Sequence, residues 1–458
     1  MTIALNAAPR RPSPVAEIIV PRMLGAALLL LAGPALAQTD PGPRPGPAAA
    51  GGPLAALSAD QSAYFTAALP LFLERVSVSG TIPGSPGIGL GPRFNLDGCA
   101  GCHAFPAAGG SSPPNNPQVQ VAAASGATNT LPGFIKPNGP VRVARFIKNS
   151  DGTADGRVHD LFTITGRSDA VGCVLAQPDF AAQRAAGNVI FRIPTPVFGD
   201  GLVEAVPDAN LLASVASNAT ERATFGVSGH FNRDPADNTI TRFGWKAQHK
   251  SLLAFAGEAA FVEEGVTNDI KPTNPTETGG CAFTQGPEDA QPTTPRAGDA
   301  SSASASSAAI VNQAEFMRLS APPARGPSNP QVVQGQALFS SVGCDSCHIT
   351  SQTTAAVTLT GGETVSFQPF SDFAVHNMGS GLADHITQGS ATGREWRSAP
   401  LWGLGQRLFF LHDGRAPDLV TAIEAHASSG SEANLSIDSY NALSPAEQQA
   451  VLVFLRSL

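Results

Sequence analysis

The chain has 458 residues, 42% of them hydrophobic and only 14% charged, where an ordinary soluble domain carries about 25% charge. Its 47 Gly and 39 Pro exceed a usual joint share of about 12% and predict a loop-rich backbone, yet the apolar content can bury a sizeable core and excludes global disorder. A net charge of −8, with no run of Lys or Arg, excludes sequence-independent nucleic-acid binding.

At the N-terminus Arg10, Arg11 and Arg22 precede the apolar run 23–32, and Ala35-Leu36-Ala37 has the small-x-small pattern of a signal-peptidase site. The run is too short to span a bilayer, which takes about 20 residues. Residues 1–37 therefore read as a signal peptide, and the protein as periplasmic with no transmembrane segment. Residues 38–57, rich in Pro, Ala and Gly, read as a flexible linker. Ser58 and Gln61 form a capping box for a helix running toward Arg75. β-like stretches follow at 158–165 and 189–193, and a helix is predicted over 251–262. Residues 271–313 are low in complexity, a linker or surface insertion. Val332, Val333, Gln336, Leu338 and Phe339 mark an amphipathic helix leading into Cys344. Ser444-Pro445-Ala446-Glu447 then opens a last helix with the stripe Val451, Leu452, Leu455.

Four of the six cysteines form two C-x-x-C pairs, each followed at once by His: Cys99, Cys102, His103 and Cys344, Cys347, His348. This is the pattern for covalent haem c attachment. The two thiols of such a turn meet the two vinyl groups on one porphyrin edge, and the adjacent imidazole ligates iron from the proximal face. A four-Cys zinc site would leave both His unexplained, and a thioredoxin-like pair needs no second copy. Cys173 and Cys281 remain, an even number in an exported protein; they form a disulfide or stay as free buried thiols. The expected fold is mainly α with irregular loops, in two cytochrome c-like haem domains. The first spans 58–270 and carries a β/loop elaboration; the second spans 314–458.

The segments GLGPRFN before the first motif, VHDLFTITGR from Val158, RIPTPVFGDGLVEAVPD from Arg192 and RFGWKA from Arg242 resemble the bacterial di-haem oxidoreductases. So do FSDFAVHNMG from Phe370, EWRSAPLWGLG from Glu395 and LHDGRA from Leu411. These proteins are relatives of di-haem cytochrome c peroxidases and of MauG. The resemblance implies a peroxidase-like oxidoreductase with two covalently bound haem c groups, and leaves a calcium ion between them open.

For the second haem, the candidate distal ligands after His348 are His376, Met378, His385, His412 and His426. Leu419, Ala422, Ile423 and His426 follow the i, i+3, i+4, i+7 pattern, which places His426 on the apolar face of a helix. The resemblance puts His426 where related peroxidases carry the distal ligand of their electron-transfer haem, ahead of Met378. For the first haem, aligning the segment from Arg242 with the segment around His412 sets Trp245 against His412 and Ala259 against His426. Alanine cannot bind iron, so an open sixth position is expected.

Peroxide cleavage needs an acid/base group there. The stripe Leu252, Phe255, Ala256, Ala259 places Glu263 in line and Glu264 to one side, while a helix ending before Glu263 would leave both acids solvated. The resemblance gives Glu263 the acid/base role and Trp245 the role of relay between haems; Glu204 is a second-choice acid. Arg93, Arg192 and Arg397 are candidate partners of haem propionates. The expected activity is reduction of hydrogen peroxide or a similar small oxidant at haem 1, with electrons from a small redox protein or another donor. A pure electron-transfer cytochrome, an oxygenase and an iron-handling partner on the same scaffold are the alternatives.

Overall fold

Helices form where the sequence caps them. The Ser58 hydroxyl accepts from the Gln61 amide at 3.2 Å and the Gln61 side chain accepts the Ser58 amide at 2.9 Å, opening the helix Ala59–Leu73. Asn329 accepts from Val332 at 2.9 Å ahead of the helix Pro330–Ser341, and Ser444 with Glu447 caps the helix Pro445–Ser457. The computed structural model describes residues 38–121, 123–289 and 308–458. The expected signal peptide 1–37 and the 290–307 part of the low-complexity stretch lie outside the described residues. Among the described residues no helix is long and apolar enough to cross a membrane.

Strands are short, as the Gly and Pro content dictates. Val143–Phe146 pairs antiparallel with both Val158–His159 and Val189–Arg192. Arg93–Phe94 pairs with Phe162–Thr163, and Val375–Asn377 with Glu395–Arg397. The architecture is thus mainly helical, with long loops and small sheets, and Ala37–Leu458 clusters as one compact unit.

One core joins the helices Ala59–Leu73, Leu252–Glu264 and Ala309–Leu319, with the Phe72 and Phe316 rings stacked at 4.2 Å. Another forms where Pro330–Ser341 crosses Pro445–Ser457. At that crossing a Cβ on Gly335 would lie 1.9 Å from the Ala450 carbonyl oxygen, so only glycine permits the approach.

Two boundaries differ from expectation. The break near residue 314 falls inside the helix Ala309–Leu319, whose buried Ile310, Phe316 and Leu319 fill the first core. The Asp289 carboxylate caps this helix by accepting from Ala309 at 2.9 Å and Ile310 at 3.1 Å. Residues 38–57 are not a free tether. Asp40 pairs with the buried Arg456 guanidinium at 2.6 Å, the Arg44 amide bonds the Gly405 carbonyl, and the Leu54 amide bonds the Leu319 carbonyl. Such a segment lacks regular structure because Pro and Gly suppress it, but its polar groups are still satisfied by the body it crosses. Cys173 and Cys281 form a disulfide.

Candidate functional site

The first C-x-x-C-H motif forms one helical turn, Cys99–Cys102, with His103 at its end. The His103 Nδ1 lies 3.0 Å from the Gly110 carbonyl, and the Thr195 backbone is a second polar neighbour of the ring. Burial holds this imidazole down to about 4, so it is neutral. Burial also pushes the Cys99 and Cys102 thiols well up, and neither is consumed in a disulfide. All three residues line a cavity with about 1140 Å³ of atom-free space, counted out to its mouth.

The helix Leu252–Glu264 forms another part of the cavity wall. It runs past Val262, and Gly265 ends it at φ +70°. The Glu263 carbonyl accepts the Asn95 amide at 2.7 Å and the Glu264 carbonyl accepts the Gly91 amide at 2.9 Å. The chain entering the first motif therefore clamps the last helical turn and buries both acids. Glu263, Glu264 and Ala259 all line the cavity. Burial, then the charge of Asp160, lifts the Glu263 carboxyl to about 8, and its Oε2 is buried without a hydrogen-bond partner. Burial raises Glu264 to about 7, and its Oε1 accepts from the Cys99 thiol at 3.4 Å. Glu264 was expected to point aside; the 91–98 segment wraps both sides of the helix end, so it is enclosed as well. Glu204 is elsewhere: it accepts the Leu252 amide at 2.8 Å and pairs with Arg318 at 2.6 Å, which makes it a helix cap.

Cys344, Cys347 and His348 line a second cavity, with about 1430 Å³ of atom-free space. His348 Nδ1 lies 2.9 Å from the Phe370 carbonyl, and burial holds the imidazole down to about 4. His426 lines the same cavity, its Nδ1 2.7 Å from the Ala422 carbonyl. The helix Leu419–Glu424 stops short of it, so His426 stands in the turn beyond the helix end. Met378 and His412 also line this cavity. His376 has both ring nitrogens engaged, 3.0 Å from Asp372 and 3.1 Å from Glu432, and His385 is exposed.

Trp245 lines both cavities, its indole N–H held by the Ile193 carbonyl at 2.8 Å. His412 meets Trp245 edge-on at 6.4 Å and stacks on Trp396 at 3.7 Å.

Haem groups fit these cavities on three independent observations. Each holds a C-x-x-C-H set whose buried imidazole is neutral and held by a backbone carbonyl. Each is large and mostly apolar. Each also presents buried arginine nitrogens without a partner: Arg145 Nε and Arg192 Nε in the first, Arg397 Nε and Arg407 Nη2 in the second. Burial lowers Arg145 to about 9 and Arg397 and Arg407 to about 10, as expected of cations short of counter-charge; haem propionates would supply it. Arg93 lines neither cavity. Arg145, Arg407 and His249 escaped the sequence reading, because nothing in their spacing ties them to either motif. Among the described residues no group of three or more His, Cys, Asp or Glu side chains is arranged to hold a metal ion by itself.

The family model described as "Di-haem oxidoreductase, putative peroxidase" matches residues 156–458, a span that takes in Trp245, Glu263 and the second motif. The search of curated proteins found no match.

Proposed function

The chain belongs to the di-haem oxidoreductase family, and from that premise we propose that it is an exported enzyme with two covalently attached haem c groups that reduces hydrogen peroxide or a similar small oxidant. In this reading Cys99, Cys102 and His103 hold haem 1, and Cys344, Cys347, His348 and His426 hold haem 2. The observation that carries the proposal is the contrast between the two cavities. The second sets His348 and His426 in one cavity, suited to a six-coordinate iron that passes electrons. The first has Ala259 at the position matching His426 and a Glu263 carboxyl whose Oε2 has no hydrogen-bond partner.

The haems supply the redox chemistry. The chain supplies the rest: Glu263, protonated at neutral pH, holds a proton for the leaving oxygen, Trp245 gives an aromatic path between cavities, and the buried arginines anchor anionic groups. Export to the periplasm and a small redox protein as electron donor complete the proposal.

Electron paramagnetic resonance of the oxidised protein tests it. One high-spin and one low-spin iron are expected, together with peroxide-dependent oxidation of a reduced donor cytochrome. Two low-spin irons that bind neither cyanide nor carbon monoxide would make the protein an electron carrier instead.

A further inference from the structure

We propose that His249 is a second proton-handling residue of the first cavity, accepting the proton that a bound peroxide loses while Glu263 donates the one it gains. The inference rests on the peroxidase reading and divides between two side chains the acid/base work that the sequence assigned to Glu263 alone.

His249 lines the first cavity four residues beyond Trp245. Its backbone is pinned in both directions, the Phe243 amide bonding the His249 carbonyl at 3.0 Å and the His249 amide bonding the Phe243 carbonyl at 3.2 Å. Its ring packs on Phe255 at 5.4 Å, and Nε2 is 3.7 Å from Glu258 Oε2. Glu258 and Phe255 belong to the helix Leu252–Glu264 that carries Glu263, so one rigid element aligns both proton-handling groups. The carboxylate of Glu258, which also faces Lys271 at 3.8 Å, stands where it would stabilise an imidazolium.

The charged groups that face His249 are Glu258, Lys271 and Arg145. Burial, aided by Lys271 and Arg145 and opposed by Glu258, keeps the imidazole neutral, which is the state a base requires. Glu263 is displaced the other way and is the acid. Two titratable groups pushed apart in one cavity make an acid/base pair.

The step balances as follows. The inner oxygen of hydrogen peroxide gives its proton to the His249 imidazole. The O–O bond breaks as the outer oxygen takes the Glu263 proton and leaves as water, and the inner oxygen takes back the His249 proton and one more from solvent to leave as the second water; the two electrons would come from the haems held by the two C-x-x-C-H turns. Overall, peroxide with two electrons and two protons gives two waters, the electrons being replaced by the donor.

The test mixes the half-reduced holoprotein with hydrogen peroxide, the oxidised protein with cyanide and the fully reduced protein with carbon monoxide. His249→Gln should slow the peroxide reaction about 100-fold. It should also slow association of hydrogen cyanide, which must lose a proton to bind, and leave carbon monoxide binding unchanged. Glu258→Gln should move the acid limb of the pH–rate profile to lower pH, because it removes the charge that favours the imidazolium; a packing role for His249 would not. Wild-type rates for peroxide and cyanide in His249→Gln would overturn the proposal. So would a change from low to high spin with faster cyanide binding, since that would make His249 an iron ligand. Should wild-type protein ignore peroxide, the peroxidase reading falls, and cyanide association still decides whether His249 is a base.

Discussion

The two cavities start from the same five-residue motif and diverge in the rest of their lining. In the second, a short helix delivers His426 toward His348, with both imidazoles fixed through Nδ1 to carbonyls and kept neutral by burial. In the first, the matching helix runs longer and brings Ala259 to the cavity. Its last turn then delivers two buried acids, Glu264 lying against the Cys99 thiol. In the proposed reading one pattern serves a closed coordination site and an open reactive one, according to the side chains that line the rest of each cavity. Trp245, shared by both cavities, joins the two outcomes.

The largest effect should come from removing either attachment turn. Cys99→Ala with Cys102→Ala should lower the mass of the purified protein by one haem and abolish its peroxide reaction. Cys344→Ala with Cys347→Ala should lower the mass equally but leave the remaining iron reactive toward peroxide. Equal loss of peroxide reactivity in both variants would erase the contrast between the cavities.

His426→Ala should convert the low-spin iron to high spin in the electron paramagnetic resonance spectrum. An unchanged spectrum would hand the ligand role to Met378, which lines the same cavity. Trp245→Phe, which keeps the ring but loses the bond to Ile193, should slow electron exchange between the haems about tenfold or more with both spin states intact, measured by flash photolysis of the carbon monoxide complex.

Glu263 predicts a pH dependence with a definite sign. Its folded carboxyl sits at about 8 against an ordinary 4.5, so the proton is held across the neutral range. The stabilisation from that raised value is full below 4.5 and is lost as pH rises through about 8. Both the peroxide rate and the denaturant midpoint should fall over the upper part of this range, and Glu263→Gln should flatten the Glu263 contribution to both. The smallest effect should be Gly335→Ala, which forces apart the crossing in the second core and should cost about 1–3 kcal/mol in thermal unfolding without altering cyanide binding at the first iron.

Much of this was written along the chain. The C-x-x-C-H turns, the capping boxes at Ser58 and Ser444 and the Asn329 cap with Pro330 are local patterns, in which a residue and its partner lie within four positions. Covalent spacing and one helical turn fix them whatever the rest of the molecule does. The sequence by itself therefore determined which residues are proposed to hold two haems and where the main helices begin.

Only the tertiary structure decided what faces those residues. It enclosed Glu264 beside Glu263 by wrapping the 91–98 segment around a helix end more than 150 residues away in sequence. It set Glu204 aside as a helix cap, strapped residues 38–57 to the body, and brought His249 and Arg145 to the first cavity. The reason is physical: burial and charge pairing depend on neighbours in space, and periodicity along one element carries no record of the segments that fold against it.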